Sequence, residues 1–218
     1  MWYSATTAWT QSFAETVNMT SKKLFWLTVG VSLIAGTLIG VISTVAFIKK
    51  TSHNISQAAW ISGHEALLKS QFADAISFFA RSVALFPENY EAHTGLGQAY
   101  EGLGILKLAR NEYEHAAKLI DGKELPDYTE KAILLTKVGE IDLREGQYIQ
   151  AVSSYERAIA ISPQWPDAYY GLGLSYYKQG HTKQAKESLK KFLQYESREN
   201  RATEKRNAAE LVKRLETE

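Results

Sequence analysis

Side chains able to do chemistry are few in this chain, and they are poorly spaced for it. The 218 residues include no cysteine and five histidines, His53, His64, His93, His115 and His181. Without thiols there is no cysteine nucleophile, Cys-ligated zinc, iron–sulfur cluster or disulfide. Glu112-x-x-His115 has the spacing of half a carboxylate metal motif, but no second half exists to face it. His64-Glu65 lacks the second histidine that a zinc-protease helix requires. The runs Gly95-Leu96-Gly97 and Gly171-Leu172-Gly173 suggest a phosphate loop, yet both fall inside helical stretches, where glycine serves close packing. No serine sits on a strand-to-helix turn of the kind that exposes a nucleophile. The expectation is a protein that is not an enzyme, with no cofactor and no metal site.

The elements around these residues are organised by a repeat. Ala75, Ala109, Ala151 and Ala185 are separated by 34, 42 and 34 residues. Other columns keep the same intervals: Ser62, Leu96, Val138, Leu172; Gly63, Gly97, Gly139, Gly173; Phe79, Tyr113, Tyr155, Leu189. Gly104, Gly146 and Gly180 repeat at 42 and 34, and Pro87 and Pro163 lie 76 apart, one full pair of intervals. Several columns sharing one period define a repeat architecture before any single helix is assigned. Each unit has two apolar-periodic stretches joined at a turn glycine, as in Tyr90–Leu103, Gly104, then Leu106–Ile120. One helix pair cannot bury its apolar faces alone, so copies must stack.

A period of 34 with this chemistry resembles the tetratricopeptide repeat. His93, Leu96, Gly97, Tyr100, Ala109, Tyr113 and Ala116 fill the family's successive places in the best copy. Another copy supplies Leu135, Val138, Gly139, Ala151, Tyr155, Ala158 and Pro163, and the last supplies Tyr169, Leu172, Gly173, Tyr176 and Ala185. Departures are Ala66 and Ser82 in the first copy, Asp142 where Tyr is usual and Asp121 where Pro is usual. The resemblance implies an all-α solenoid of about four helix-turn-helix repeats, at 56–89, 90–123, 132–165 and 166–199, with a capping helix over 200–218. Ala208, Leu211, Val212 and Leu215 would give that cap its one apolar face. The extra residues around Gly122–Lys131 predict a longer loop or an extended helix end.

In this family the first helix of each pair lines an inner groove that binds protein segments. Carried over by column, the groove residues are Trp60 and His64, then Thr94, Gln98 and Glu101, then Thr136, Lys137 and Glu140, and finally Tyr170, Leu174, Tyr177 and Lys178. The family's clamp for heat-shock chaperone tails uses Lys and Asn where this chain has Trp60 and His64, so no such ligand is expected. Rings supply contact area and polar groups fix register, which suits an extended peptide or a helix.

Leu24–Ile48 is 25 residues without a charge, bracketed by Lys22-Lys23 and Lys49-Lys50. At about 1.5 Å per residue it reaches roughly 37 Å, enough for a hydrocarbon core of about 30 Å. A single transmembrane anchor over 22–50 is expected, followed by a linker at 51–55 and preceded by a short tail, 1–21, whose Trp9, Phe13 and Val17 could lie at the lipid interface. The lysine count ties at the two ends; the free amino terminus leans the repeats towards the extracytoplasmic side. Ser32, Gly36, Gly40 and Thr44 recur every four residues, a surface on which a second transmembrane helix can pack.

With 25 Lys and Arg against 24 Asp and Glu, the charge balance excludes nucleic acid as the main partner. Membrane lipid, a transmembrane helix and a protein in the groove are the partners expected. The functional expectation is a membrane-anchored interaction scaffold that assembles or recruits a membrane-associated complex; the alternative is a permanent structural subunit of such a complex.

Overall fold

The structure, a computed structural model, describes residues 42–44, 46–47, 49–121 and 128–217. The chain divides into two units, one ending at Ser52 and the other running His53–Glu218. In the first, the described residues are helical and mostly exposed, and Thr51 Oγ1 donates to the Phe47 carbonyl at 2.9 Å. Among the described residues no helix is long and apolar enough to cross a membrane. Most of the expected span, including Ser32, Gly36 and Gly40, lies outside the described residues, as does the 1–21 tail; Thr44 is helical and exposed.

The second unit is an all-α array. Residues 53–68 form α1. The following helices are α2 (Phe72–Leu85), α3 (Tyr90–Gly102), α4 (Leu106–Asp121), α5 (Tyr128–Arg144), α6 (Tyr148–Ile161), α7 (Pro166–Lys178), α8 (Thr182–Tyr195) and α9 (Ala202–Leu215). Successive helices from α2 onward pack on one another, and α5 also meets α7 directly, as stacked helix pairs require. The pairs α1/α2, α3/α4, α5/α6 and α7/α8 coincide with the four repeats. Part of the insertion between the second and third repeats has become helix: α5 begins at Tyr128, ahead of its repeat boundary, and Lys131 pairs with Asp121 across the connection.

The columns have direct physical causes. Ala75, Ala109, Ala151 and Ala185 are all 0 % exposed, each where a second helix meets its partner. The aromatic column occupies the space that the glycines leave. A methyl group at Gly97 would lie 2.6 Å from the Tyr113 ring, and one at Gly139 would lie 2.8 Å from the Tyr155 ring. The Phe79 and Tyr155 rings also reach the next repeat, against Gly95 and Gly171. The two Gly-Leu-Gly runs are therefore helix-packing devices.

The first helix of each pair, the A helix, ends alike in all four repeats. The amides of Gln71, Ile105, Gln147 and His181 donate to the carbonyls of Ala66, Tyr100, Asp142 and Tyr176, the six-residue closure of a left-handed helix cap. That closure needs positive φ at the residue before, supplied by Gly104 (74°), Gly146 (76°) and Gly180 (78°). In the first repeat Ser70 takes the same conformation, at φ 58°. In two repeats a large residue near the start of the A helix is tied to the preceding turn: His93 Nε2 meets the Pro87 carbonyl at 3.1 Å, and Tyr169 Oη donates to that of Pro163 at 3.0 Å.

At the C-terminal end α9 buries Ala208, Val212 and Leu215, with Leu211 half-buried, against Tyr169, Leu189 and Phe192. Its opposite face is charged, as a capping helix requires.

Candidate protein-binding groove

The inner face is built by the first helices of the pairs, and the twelve residues expected to line it fall into three groups. Trp60 and His64 of the first repeat and Thr94 and Gln98 of the second converge. Trp60 and His64, one turn apart on α1, stack with ring centroids 5.4 Å apart and planes 21° from parallel. They face Thr94 and Gln98 of α3 across a concavity of about 270 Å³. Tyr90, Glu91 and Gly95 of α3 and Glu130 of α5 complete its wall, so three successive A helices contribute. Thr94 Oγ1 donates to the Tyr90 carbonyl at 2.9 Å, while Gln98 is exposed. A second concavity of about 200 Å³ shares Trp60 and Glu91 and adds His53, Phe86 and Glu88 among its lining residues. The Asn89 side chain caps α3 by accepting from the amides of Glu91 and Ala92, at 3.1 and 3.2 Å, which fixes the start of the helix carrying most of this wall.

The middle group serves packing and ion pairing. Glu101 accepts from Tyr113 Oη at 3.0 Å and from Arg144 at 3.1 Å. Burial beside this carboxylate pushes the Tyr113 hydroxyl pKa far above its ordinary value. Lys137 donates to Glu140 at 2.8 Å. Burial opposes the Lys137 ammonium, but the Glu140 hydrogen bond and the charges of Glu140, Glu101 and Asp167 prevail and raise its pKa. Thr136 is only 4 % exposed: its hydroxyl donates to the Ala132 carbonyl at 2.8 Å and accepts from Trp165 Nε1 at 3.1 Å. Trp165 thus covers the position that the column assigns to Thr136.

The last group meets the cap. Tyr170 packs on Phe192 with centroids 4.9 Å apart, and burial followed by the Glu204 charge raises its pKa. Arg214 of α9 donates to Tyr177 Oη at 2.9 Å and lies over its ring at 5.3 Å. Both tyrosines are half-buried and engaged by neighbours; Leu174 is half-buried and Lys178 exposed. Beside them an ion-pair network joins Asp167 to Arg198 and Arg201, at 2.9 and 2.8 Å, and Arg198 to Glu196.

Four wall residues of the first concavity, Tyr90, Glu91, Gly95 and Glu130, were not carried over by column. Tyr90 lies on the same stripe as Thr94 and Gln98, so helical spacing alone would have found it. Glu91 stands beside that stripe, and Glu130 belongs to the insertion, where no column exists. Of the residues with metal-like spacing, Glu112 Oε2 lies 2.7 Å from His93 Nδ1, and the His93 and His115 rings are 4.4 Å apart. Among the described residues no group of three or more His, Cys, Asp or Glu is placed to hold a metal ion.

Comparison with known proteins agrees with the repeat fold. A TPR repeat model matches residues 139–180, and two tetratricopeptide repeat models match residues 167–197 and 62–124. The chain is a tetratricopeptide-repeat protein, and its array is a protein–protein interaction domain. Its fold is similar to that of the MamA protein, with a TM-score of 0.60 and 23% identity over 75% of this chain and 87% of that one. It is also similar to the APC/C hetero-tetramer Cut9–Hcn1, with a TM-score of 0.59 and 17% identity over 72% of this chain and 29% of that one. Among curated proteins, the Homo sapiens protein O-mannosyl-transferase TMTC3 is 27% identical over 141 residues. That match spans 61% of this chain but only 15% of the relative's length.

Proposed function

We propose that the chain is a membrane-tethered scaffold whose repeat array recruits a protein partner through the N-terminal end of its inner face, without a catalytic step. The observation carrying the reading is the wall of Trp60, His64, Tyr90, Thr94 and Gln98, which brings aromatic area and polar groups together in one concavity. Elsewhere the groove positions are largely engaged within the array, so this end is where a partner segment finds unfilled space. The uncharged Leu24–Ile48 stretch supports a membrane anchor ahead of the array. Anchoring would raise the array's effective concentration near membrane-bound clients and so favour assembly of a membrane complex. In this reading the repeats lie on the extracytoplasmic side. Protease protection in sealed vesicles tests that placement; digestion from the cytoplasmic side alone would reverse it.

A second reading is a permanent structural subunit, supported by the spacing of Ser32, Gly36, Gly40 and Thr44. Gentle detergent extraction separates the two. A stoichiometric stable complex that is lost with Gly36→Ile and Gly40→Ile favours the subunit. Substoichiometric capture that is lost with Trp60→Ala favours the scaffold.

A further inference from the structure

The two concavities at the start of the inner face are too small for a cofactor-sized ligand and well sized for single side chains. Ligand pockets run to about 300–1,000 Å³, whereas these enclose about 270 and 200 Å³. They share one ring, because Trp60 lines both, and one carboxylate, because Glu91 lines both. Such an arrangement accepts an extended segment that sends one side chain into each concavity.

The charge of the walls specifies those side chains. Glu91 and Glu130 line the first concavity, Glu88 and Glu91 the second, and neither lining includes a Lys or an Arg. Glu91 and Glu88 are exposed, so their carboxylates are available to a partner. Asn89 already caps the Glu91 and Ala92 amides, so the helix start has a neutral cap that does not use the Glu91 side chain. An indole face beside carboxylates is the setting in which a guanidinium or ammonium gains from both the ring quadrupole and the charge. Farther along the face, Glu101, Glu140 and Asp167 are each already paired with a cation of the array.

We propose that this end of the array binds a basic segment of a partner protein, seating one Arg or Lys side chain in each of the two concavities that share Trp60. The inference rests on the groove reading above and adds the partner's chemistry to it.

Fluorescence anisotropy on the full chain in detergent tests it, with a short labelled peptide alternating Arg and Leu, and counterparts carrying Glu or Gln in place of Arg. The Arg peptide is expected to bind, to weaken as salt is raised, and to lose about tenfold in affinity with Glu91→Gln, or about 1.4 kcal/mol. Glu187→Gln on α8 should leave the affinity unchanged. Glu91 is exposed, so its variant should keep the wild-type melting temperature, and Trp60→Phe serves as a folded control for Trp60→Ala. Tighter binding of the Glu or Gln peptide, abolished by Trp60→Ala, would overturn the basic partner while leaving the groove reading standing. Binding of the Arg peptide that ignores both Glu91→Gln and Trp60→Ala would overturn both. No binding by any peptide would overturn the basic-segment inference alone, leaving the groove reading to partner crosslinking.

Discussion

Replacing Arg110 should destabilise the array much more than replacing Asp142, although the two form one ion pair. Asp142 stands in the column of Ala66, Tyr100 and Tyr176, and Arg110 in the column of Ile76, Val152 and Lys186. The carboxylate is 0 % exposed, with Arg110 Nε at 2.6 Å and the Ser154 hydroxyl at 3.5 Å. The guanidinium side chain remains 30 % exposed. Its pKa is raised by the Asp142 hydrogen bond against the cost of burial, with help from the charges of Asp142, Glu114 and Glu145. Arg110→Val would leave a buried carboxylate with one weak donor, at a cost of about 3–5 kcal/mol. Asp142→Ala leaves a cation that can turn to water or to Glu114, at a cost of about 1–2 kcal/mol. Arg110→Val combined with Asp142→Tyr replaces the pair with residue types that the same columns hold elsewhere, Val152 and Tyr100 or Tyr176, and should be neutral, or stabilising by up to about 4 kcal/mol. Thermal unfolding of the full chain in detergent, followed by circular dichroism, reads these differences at about 2–4 °C per kcal/mol. Equal losses from the two single substitutions, or a double variant weaker than either, would refute the reasoning that the buried carboxylate is the costly partner.

Other expectations follow from single side chains. Ser70→Gly relieves a left-handed residue where the other repeats place glycine, and should add about 0.5–1 kcal/mol in the same unfolding assay. Tyr155 Oη is buried without a hydrogen-bond partner, because Leu143 stands where Glu101 serves Tyr113. Tyr155→Phe should therefore be neutral or stabilising by about 1 kcal/mol, while Tyr113→Phe should cost about 1 kcal/mol. The Arg198 hydrogen bond, against burial, holds the buried Glu196 carboxyl below its usual range. A folded pKa below the unfolded one stabilises above the unfolded value and is lost as pH falls through the folded value. The melting temperature should accordingly drop less steeply below about pH 4.5 in Glu196→Gln than in the parent chain.

Local sequence reported what local geometry decides. The Ala75–Ala185 column marked the close helix crossings, the column of Gly97 and Gly139 marked the rings it accommodates, and the apolar face of α9 marked a cap. What it did not report depends on residues far apart in the chain. Asp142 reads alone as a lost tyrosine; its meaning requires Arg110, 32 positions earlier, in a column that holds Ile76, Val152 and Lys186 in the other repeats. Tyr170 and Tyr177 read as open groove by column, because the column pattern does not encode where a cap lands. The turn after α8, held by Glu196, Arg198 and Asp167, carries α9 to both tyrosines. Glu130 entered the wall through an insertion that has no counterpart in the other repeats.

The central claim is that a protein partner occupies the N-terminal end of the inner face. Site-specific photocrosslinking in native membranes tests it directly, with the probe placed in turn at Gln98, in the first concavity, and at Ile149, which is 74 % exposed. The account predicts one dominant protein adduct from Gln98, none of it from Ile149, and its loss when Trp60 is replaced by alanine. The same adduct from Ile149, or from Gln98 irrespective of Trp60, would contradict it.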